Sequence, residues 1–393
     1  MITNTNYEQL NNYKSLIPLN STINWNDLYN TPFGKLFDKM EKTPQNPVYH
    51  GEGNVLSHVK LVCENLVNLD EYKKASYTDK FILFTSALLH DVGKIKRTKI
   101  DEDSIVSSGH SFYGSITARE FLYKNFNLAG DTETQNLRES ICLLTKYHSF
   151  PPYSITDTNA LYKCLKISCN GELVSGFSCK NLYILEKADV LGRIANDTKT
   201  QLEKLEYFKI LCEDNNCFTT PFKFSSPYTK RAYFLNKTSW QNDDIFDGSF
   251  GNVILTSGLP GVGKDTYIKQ NLPNLPIVSL DNIREKLKIK PTDNQSPVVA
   301  YAQEEAKEFL RKKQPFIWNA TNITYDLRCK PISLFERYNA SVSILYLETS
   351  FNENIKRNAE REKSVPLPVI EKMLSKLEVP ENFEAKQVKW IIN

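Results

Sequence analysis

The sequence predicts a protein of two domains, an all-α domain followed by an α/β domain built on a parallel sheet. The chain has 393 residues, about the length of two ordinary domains. Apolar residues recur at helical spacing in the first half, whereas short apolar β-branched runs alternate with helical stretches in the second. We therefore predict an N-terminal domain over residues 1–225, including a connecting segment, and a C-terminal domain over residues 226–393.

The helical prediction for the first half rests on three segments. From Val55 to Leu69, from Phe81 to His90 and in NLYILEKADVLGRI, around residue 188, apolar residues recur every three or four positions. Between about Lys204 and Gly251 this pattern weakens into a polar and aromatic stretch with prolines and glycines. We interpret that stretch as the connection and place the domain boundary near residue 225.

The α/β prediction for the second half rests on four apolar runs. These runs are NVILTS, PIVSL, FIWNAT and SVSILYL, and each is followed by a helical stretch. Such alternation predicts a parallel sheet covered by helices. In open sheets of this kind, ligands bind at the carboxyl ends of the strands.

The bulk composition excludes few partners. The net charge of +3, from 49 basic and 46 acidic residues, is too small to indicate nucleic-acid binding by itself. The N-terminus lacks the features of a signal peptide, and no run of eighteen apolar residues occurs, so we expect a cytoplasmic protein without membrane segments. The eight cysteines are scattered. The closest pairs, Cys164 with Cys169 and Cys212 with Cys217, lack CxxC spacing, and we interpret them as reduced, buried thiols.

The main feature of the first half is the pair His90-Asp91, which ends the apolar stretch FILFTSALL and precedes Val-Gly-Lys. An adjacent histidine and aspartate can both reach one metal ion. Further imidazoles and one carboxylate in an apolar run complete a candidate ligand set: His58, His110, His148 and Asp189. These ligand types suit divalent transition metals or magnesium, and six ligands suffice for one or two ions. Each histidine taken singly also fits an ordinary core or surface position.

The order His, His-Asp, His, His, Asp resembles the HD phosphohydrolase superfamily. The resemblance covers roughly residues 45–200 and includes the words GEGNVLSH, LLHDVGK, GHSFYG, KYH and KAD. It implies that one divalent metal (Mg, Mn, Co, Ni, Zn or Fe) is held by His58, His90, Asp91 and Asp189, and that a second can be held by His110 and His148. It also implies that Lys94 contacts the scissile phosphate. We interpret His50, in the preceding loop, as a structural or substrate-side residue.

A glycine-rich turn, GLPGVGK, follows the strand NVILTS and precedes a helix. This context aims backbone N–H groups at phosphates, and it predicts binding of ATP or another nucleoside triphosphate together with Mg²⁺. Gly258, Gly261 and Gly263 permit close approach of the backbone, and Lys264 supplies a cation for the β and γ phosphates.

The next two residues depart from the usual pattern of a phosphate-binding loop. Asp265 stands where that pattern has the serine or threonine that binds magnesium. Its carboxylate can coordinate the ion directly, coordinate it through water, or hydrogen-bond the loop. The hydroxyl of Thr266 points about 100° away on an ideal helix.

The acceptor side of a phosphoryl transfer is indicated by Asp281, just beyond the second predicted strand. Arg284 lies on the same face of the next helix, so the carboxylate can accept the proton of a hydroxyl while the guanidinium holds a phosphate. Alternatively, Asp281 caps that helix. Arg357 and Arg361 lie four apart on one predicted helix, where they form either a lid over the triphosphate or part of an exposed, salt-bridged face.

The segments GLPGVGKDT, LDNIR, NATN and RNAEREKSVP, within residues 250–370, resemble the 5'-hydroxyl polynucleotide kinase domain of nucleic-acid end-healing enzymes. The resemblance implies a role for each matching residue. Lys264 stabilises the transferring phosphoryl group, Asp281 is the general base and Arg284 holds the substrate phosphate. Arg361 acts on the transition state, and Arg357 assists on the nucleotide. Three residues after the third predicted strand fit the wall between donor and acceptor, or simply a polar strand end: Asn319, Thr321 and Asn322.

An HD hydrolase ahead of such a kinase resembles the bacterial HD-type polynucleotide kinases. This arrangement implies an enzyme that phosphorylates 5'-hydroxyl ends of RNA or DNA, hydrolyses 3'-phosphate, 2'-phosphate or 2',3'-cyclic phosphate ends, and shares a pathway with a nucleic-acid ligase. Two other enzymes fit the same motifs: a small-metabolite or nucleoside kinase fused to a nucleotidase, and a nucleotide-signalling HD hydrolase. A non-catalytic nucleic-acid-binding protein would leave both sets of residues idle.

Overall fold

The computed structural model describes the backbone of residues 2–102 and 104–393 and the side chains from residue 8 onward, except that of residue 103. The described chain divides into two compact units. The first contains the residues up to 222 together with 350–352, and the second contains residues 223–349 together with 353–393. No helix in the described ranges combines the length and the apolar character needed to cross a membrane.

The first unit is helical apart from one small antiparallel pair of strands, β1 (Lys99–Asp101) and β2 (Ser104–Val106). Its helices are α1 (Ile2–Ser15), α2 (Trp25–Tyr29), α3 (Phe33–Glu41), α4 (Val55–Asn68), α5 (Asp70–Lys73), α6 (Tyr77–Leu89), α7 (Lys94–Arg97), α8 (His110–Phe126), α9 (Thr132–Tyr147), α10 (Ala160–Ser168), α11 (Cys179–Gly192) and α12 (Thr198–Asp214).

The helices that carry the predicted ligands begin at side-chain caps and pack on one another. Asn54 accepts a hydrogen bond from the backbone of α4, Ser76 from α6 and Ser178 from α11, which satisfies N–H groups that the helix itself leaves free. All nine residues from Phe81 to Leu89 are buried, as expected for a helix that neighbours surround. Helix α6 packs against α4, α9 and α11. The packed faces of these helices therefore fix the positions of the helix ends.

The second unit contains a five-stranded, fully parallel sheet in the order β4-β5-β3-β6-β7. Its strands are β3 (Phe250–Ser257), β4 (Ile277–Ser279), β5 (Ile317–Asn319), β6 (Ala340–Glu348) and β7 (Gln387–Ile392). Its helices are α13 (Pro227–Phe234), α14 (Lys264–Asn271), α15 (Leu280–Leu287), α16 (Ser296–Arg311), α17 (Tyr325–Arg337), α18 (Phe351–Ala359) and α19 (Leu367–Leu374), the first residues of α18 being grouped with the first unit.

The strand order places β3 at the switch point of the sheet. The chain leaves β3 to form β4 and β5 on one side and then crosses to form β6 and β7 on the other. Crevices at such a switch point, beyond the carboxyl ends of the strands, are where open α/β sheets bind ligands. The predicted fold class, a helical domain followed by an α/β domain with a parallel sheet, is confirmed.

Two details of the prediction are wrong. The segment interpreted as a connection from Lys204 to Gly251 contains the end of α12 and all of α13, because a narrow buried strip of Leu205, Phe208 and Cys212 is enough to hold a mostly polar helix. The fifth strand, β7, was not predicted. Its residues QVKWII are exposed or half-buried at the edge of the sheet, and their apolar run is only three residues long.

Candidate active sites

The structure brings all six predicted metal ligands together at the ends of five helices. His58 lies in the first turn of α4 and Asp189 in the last turn of α11. The other four also stand at helix termini: His90 and Asp91 directly after α6, His110 as the first residue of α8, and His148 directly after α9. Four are buried and two, His110 and Asp189, are half-buried. Side chains at helix ends can converge without interrupting the packed helix interiors.

The ligand atoms form two groups. In the first, the Nε2 atom of His58 lies 2.9 Å from Oδ1 of Asp189 and 3.3 Å from Nε2 of His90. In the second, Nε2 of His110 lies 3.4 Å from Nε2 of His148. Asp91 completes the second group. Within each group the potential metal-ligand atoms lie within 4.8 Å of one another, which is the spacing of ligands around one ion.

Asp91 stands between the two groups. Its Oδ2 atom is 3.5 Å from Nε2 of His90 and 3.7 Å from Nε2 of His58, whereas its Oδ1 atom is 3.4 Å from Nε2 of His110 and 3.8 Å from Nε2 of His148. The buried Oδ1 atom accepts no hydrogen bond from the described residues. A buried carboxylate oxygen in that state calls for a cation, so the residues fit a site for one or two divalent metals bridged by this side chain.

The other nitrogen of each imidazole lies beside an oxygen atom. The Nδ1 atoms of His90, His110 and His148 lie 2.8 to 2.9 Å from the backbone carbonyl oxygens three residues earlier. Nδ1 of His58 lies 2.9 Å from Oε1 of Glu52. A carbonyl or carboxylate at Nδ1 fixes the proton there and leaves Nε2 free to bind a metal.

The sequence did not single out Glu52. Its Oε1 atom also lies 2.8 Å from Nδ1 of His50, and its Oε2 atom accepts a hydrogen bond of 3.0 Å from the backbone N–H of Ile194, just after α11. His50 is thus a contact of this carboxylate and is absent from the two ligand groups around Asp91. Helical periodicity carries no information about a loop residue, and the only sequence signal for Glu52 was its place in the word GEGNVLSH.

Lys94 is buried close to the metal ligands. Its Nζ atom donates a hydrogen bond of 2.6 Å to Oε1 of Gln45 and lies 2.7 Å from Oδ2 of Asp91. Lys94 is therefore not an exposed lysine beyond a helix end. Gln45, which orients it, lies in a loop and was also not predicted.

The charged groups around the six candidate ligands shift the pKa values of several of these ligands. Burial alone would lower the pKa of His58, but the carboxylates of Asp189 and Glu52 raise it to about 9. Burial and the neighbouring imidazoles lower the pKa of His148 to about 3. The pKa of the Asp91 carboxyl lies well below its ordinary value despite burial, because the Lys94 ammonium and the imidazoles favour the anion.

The phosphate-binding loop lies between β3 and α14. The backbone φ angles of Gly258, Gly261 and Gly263 are +143°, +84° and +87°. A Cβ atom on Gly258 would stand 2.3 Å from the carbonyl oxygen of Leu347, so no other residue fits there without displacing β6. The loop also runs directly into the N-terminus of α14, where free N–H groups favour anions.

Lys264 and Asp265 open α14. The Nζ atom of Lys264 donates hydrogen bonds to the carbonyl oxygens of Gly258 (3.0 Å) and Leu259 (2.8 Å), and burial lowers its pKa to about 8. Oδ1 of Asp265 accepts a hydrogen bond of 2.7 Å from Asn319 at the end of β5. This carboxylate is therefore tied to the neighbouring strand. Thr266, the next residue, is exposed.

The polar residues after β5 support the base of the loop. The side-chain amide of Asn322 donates to the carbonyl oxygen of Thr256 at 2.8 Å, and the carbonyl oxygen of Thr321 accepts from the backbone N–H of Gly258 at 2.9 Å. Asn319 accepts a hydrogen bond from the hydroxyl of Thr256 at 2.9 Å while donating to Asp265. The predicted wall residues thus connect β3, β5 and the loop.

Asp281 is the second residue of α15 and does not cap it, because the hydroxyl of Ser279 accepts the capping hydrogen bond. The Asp281 side chain is 77% exposed and forms an ion pair with Arg284. The Nε atom of Arg284 donates to Oε1 of Gln295 at 2.8 Å, which holds the guanidinium in place. The predicted carboxylate–arginine pair therefore exists on one face of α15.

The predicted helix with both lid arginines is wrong. Helix α18 ends at Ala359, so Arg361 lies in the following turn and not on the helix that carries Arg357. The side chain of Asn358 makes hydrogen bonds of 2.8 and 2.9 Å with the backbone of Val365 and turns the chain there. Asparagine side chains compete in this way with helical hydrogen bonds. Arg357 forms a salt bridge with Glu353, and its Nη1 atom lies 3.6 Å from where a Cβ atom on Gly263 of the phosphate-binding loop would stand.

Comparisons with known proteins identify the same two halves. Residues 55–173 match the family described as HD domain, and residues 253–380 match the family described as AAA domain. The chain therefore carries an N-terminal HD domain and a C-terminal P-loop kinase-like domain. Together the two domains support an enzyme with hydrolase and kinase activities, for which the P-loop implies a nucleotide with Mg²⁺ and the HD domain implies a divalent metal.

Two individual proteins have a low sequence identity to this chain and match only part of it. An L-seryl-tRNA(Sec) kinase of Methanococcus maripaludis is 28% identical over 136 residues, which are 33% of this chain and 53% of the relative. The chain thus spans about half the length of that curated relative. A solved structure of a candidate kinase from Chloroflexus aurantiacus covers 37% of this chain and 86% of its own, at 14% identity and a TM-score of 0.30.

Proposed function

We propose that this protein heals broken nucleic-acid ends, phosphorylating a 5'-hydroxyl and removing a 3'-phosphate, 2'-phosphate or 2',3'-cyclic phosphate. One observation carries the proposal: the same chain holds a carboxylate–arginine pair after β4 in the P-loop domain and a centre of six metal ligands in the HD domain. A break with a 5'-hydroxyl and a phosphorylated 3' end needs both changes before a ligase can join it. RNA or DNA ends are thus the proposed substrates, and a ligase would act next in the pathway.

The kinase site suits a polymer as acceptor. Asp281 is largely exposed, so a strand end can reach its carboxylate, which would take the proton of the attacking 5'-hydroxyl. Arg284, restrained by Gln295, would bind the adjacent phosphate of the strand. Lys264 would hold the transferring phosphoryl group, with Arg361 on its far side, while Mg²⁺ neutralises the phosphate charge when the nucleotide is bound.

The name of the curated relative supports an RNA-linked acceptor. An L-seryl-tRNA(Sec) kinase, by its name, acts on a hydroxyl carried by an RNA. The motifs also fit a metabolite or nucleoside acceptor. Such a small acceptor would bind more tightly in an enclosed pocket, whereas Asp281 is open to solvent. We therefore rank the polynucleotide acceptor above the small-molecule acceptor.

The HD centre would supply the hydrolase. Divalent metals held by the six ligands would activate water and neutralise the phosphate oxygens. Lys94, held between Gln45 and Asp91, would reach an oxygen of the same phosphate. Asp91 faces both ligand groups, so its loss would disable the site whether one metal or two are bound.

The kinase test is transfer of labelled γ-phosphate from ATP to a 5'-hydroxyl oligonucleotide, as RNA and as DNA, with a nucleoside as competing acceptor. We expect transfer to the oligonucleotide, loss of transfer in Asp281→Asn, and little change in the matched control Glu285→Gln on the same helix. Transfer to the nucleoside alone would refute the end-healing function.

The hydrolase test uses oligonucleotides that end in 3'-phosphate, 2'-phosphate or 2',3'-cyclic phosphate, with a cyclic mononucleotide and a polyphosphorylated nucleotide as competitors. Asp91→Asn should abolish phosphate removal while leaving the kinase rate as an internal control for folding. Products made by the wild-type protein should become ligatable with an added ligase. Faster hydrolysis of the mononucleotides would favour a signalling hydrolase instead.

A further inference from the structure

An arginine and a tyrosine meet beside the HD centre. Arg97 is the last residue of α7, and Tyr113 lies in the first turn of α8. The guanidinium carbon of Arg97 lies over the Tyr113 ring, 4.6 Å from its centre. The Nε atom of Arg97 also donates a hydrogen bond of 2.9 Å to the carbonyl oxygen of Ser108, just before α8. Contacts between two neighbouring elements therefore hold the pair in place.

Each member of the pair follows a residue of the centre by three positions. Arg97 follows Lys94 in α7, and Tyr113 follows His110 in α8. Residues three apart share a helix face. Lys94 and His110 both face Asp91, at 2.7 Å from Oδ2 and 3.4 Å from Oδ1. The pair therefore lies one helical turn beyond the residues that surround Asp91.

This displacement is of the size of one nucleotide. Three residues advance an α-helix by about 4.5 Å, and one nucleotide advances a duplex strand by about 3.4 Å. Asp91 is buried and His110 is half-buried, whereas Tyr113 is 44% exposed. The pair thus lies on the solvent side of the centre, where the rest of a strand would lie if its terminal phosphate were bound at the metal ligands.

The chemistry of the pair suits a nucleotide. The Tyr113 ring meets the Phe112 ring edge-on, with centroids 5.3 Å apart, so it is held in one orientation before any ligand binds. Such a ring loses little freedom when a base stacks on it. No carboxylate in the described part of the chain forms an ion pair with Arg97 or with its exposed neighbours Lys96 and Lys99. The guanidinium can therefore take a phosphate as its anion.

We propose that Tyr113 and Arg97 bind the end of a nucleic-acid strand at the HD centre. Tyr113 stacks with one of the last two bases, and Arg97 binds the last internucleotide phosphate. The pair would select strand ends over small phosphate esters. The inference rests on the hydrolase function proposed above and adds two substrate-binding residues to it.

The test of Tyr113 uses full-length protein and two strands that end in 3'-phosphate, one normal and one without its last two bases. Tyr113→Ala should raise the KM for the normal strand about 5- to 150-fold, the range expected for loss of one stacked base. Its KM for the strand without those bases should equal that of wild type, and Tyr113→Phe should behave as wild type on both. The kcat and the bound metal should not change.

The test of Arg97 replaces the last internucleotide phosphate by an uncharged methylphosphonate. Arg97→Ala should raise the KM for the normal strand and leave the KM for the methylphosphonate strand unchanged. Tyr77→Ala is the control for removal of an exposed tyrosine. Tyr77 lies at the opposite end of α6 from His90, about 20 Å away along the helix, and its replacement should change neither KM.

The outcomes distinguish this inference from the function on which it rests. Wild-type protein that hydrolyses free nucleotides but no strand ends would overturn both. Wild-type hydrolysis of strand ends with an unchanged KM in Tyr113→Ala and Arg97→Ala would overturn the inference alone. An equal rise of KM for the normal and the altered strand would also overturn it, because a purely structural role of the pair gives that result.

Discussion

Replacement of Glu52 by alanine should weaken metal binding at the HD centre although Glu52 is outside the two ligand groups around Asp91. One oxygen of this carboxylate lies 2.9 Å from Nδ1 of His58, and the other accepts a hydrogen bond from the backbone N–H of Ile194 after α11. The side chain therefore connects the loop before α4 with the end of the helix that carries Asp189. In Glu52→Ala the imidazole of His58 loses the partner that orients Nε2 toward the metal.

The expected size follows from these contacts. Loss of a carboxylate behind a metal-bound histidine typically lowers metal affinity about 10- to 100-fold, or about 1.4 to 2.8 kcal/mol. The buried His58 would also lose the carboxylate beside its Nδ1 atom, which should lower the free energy of unfolding by about 1–3 kcal/mol. Glu52→Gln keeps an acceptor oxygen without the charge, so its loss of affinity should be smaller.

The assay is Mn²⁺ affinity measured by electron paramagnetic resonance, because Mn²⁺ prefers oxygen and nitrogen ligands over thiolates. Urea unfolding of the metal-free protein gives the stability term separately. Glu64→Gln, an exposed carboxylate on the same helix as His58, is the matched control and should change neither quantity. A folded Glu52→Ala protein whose Mn²⁺ affinity stays within about twofold of wild type would refute the positioning role.

Three further predictions concern the kinase site and the packing behind the HD centre. Asp281→Asn should lower the kinase kcat about 10²- to 10⁴-fold without changing the affinity for ATP. The control Glu285→Gln should change neither the kcat nor the ATP affinity. An equal loss of kcat in the two variants would instead indicate disruption of α15. Burial lowers the pKa of Lys264 to about 8, so the side chain loses its charge as the pH rises through that value. The Kd for ATP should therefore increase about tenfold from about pH 7 to about pH 9. A Kd that calorimetry shows to be independent of pH would contradict this. Gly93→Ala would place a Cβ atom 2.0 Å from a backbone oxygen of α8; it should cost about 1–3 kcal/mol in urea unfolding and reduce hydrolase activity, unlike Gly130→Ala, whose nearest atom is 3.8 Å away.

The two candidate sites differ in the source of their positive charge. In the P-loop domain the groups proposed to bind phosphate are backbone N–H groups and Lys264, and Asp281, the proposed general base, is exposed. In the HD domain the field comes from metal ligands that are mostly buried and oriented by other groups. A substitution in one domain is therefore expected to leave the chemistry of the other unchanged.

The sequence by itself determined the fold class of each half and indicated the residues proposed for the chemistry. Helical periodicity around His58, His90 and Asp189 and the apolar runs of the second half are readable from the sequence, because the spacing of apolar residues reports which face of each element is buried. The glycine turn before Lys264 is also local, since its geometry depends on consecutive residues. These signals were enough to predict the two fold classes and to propose both sets of site residues.

Only the tertiary structure decided the contacts between distant segments. Glu52 and Gln45 are loop residues whose partners lie in other elements, so no periodic pattern marks them. The end of α18 before Arg361 depends on a hydrogen bond between Asn358 and Val365. Such interactions form only once the chain has packed, because their energy depends on burial and on geometry that sequence spacing does not specify.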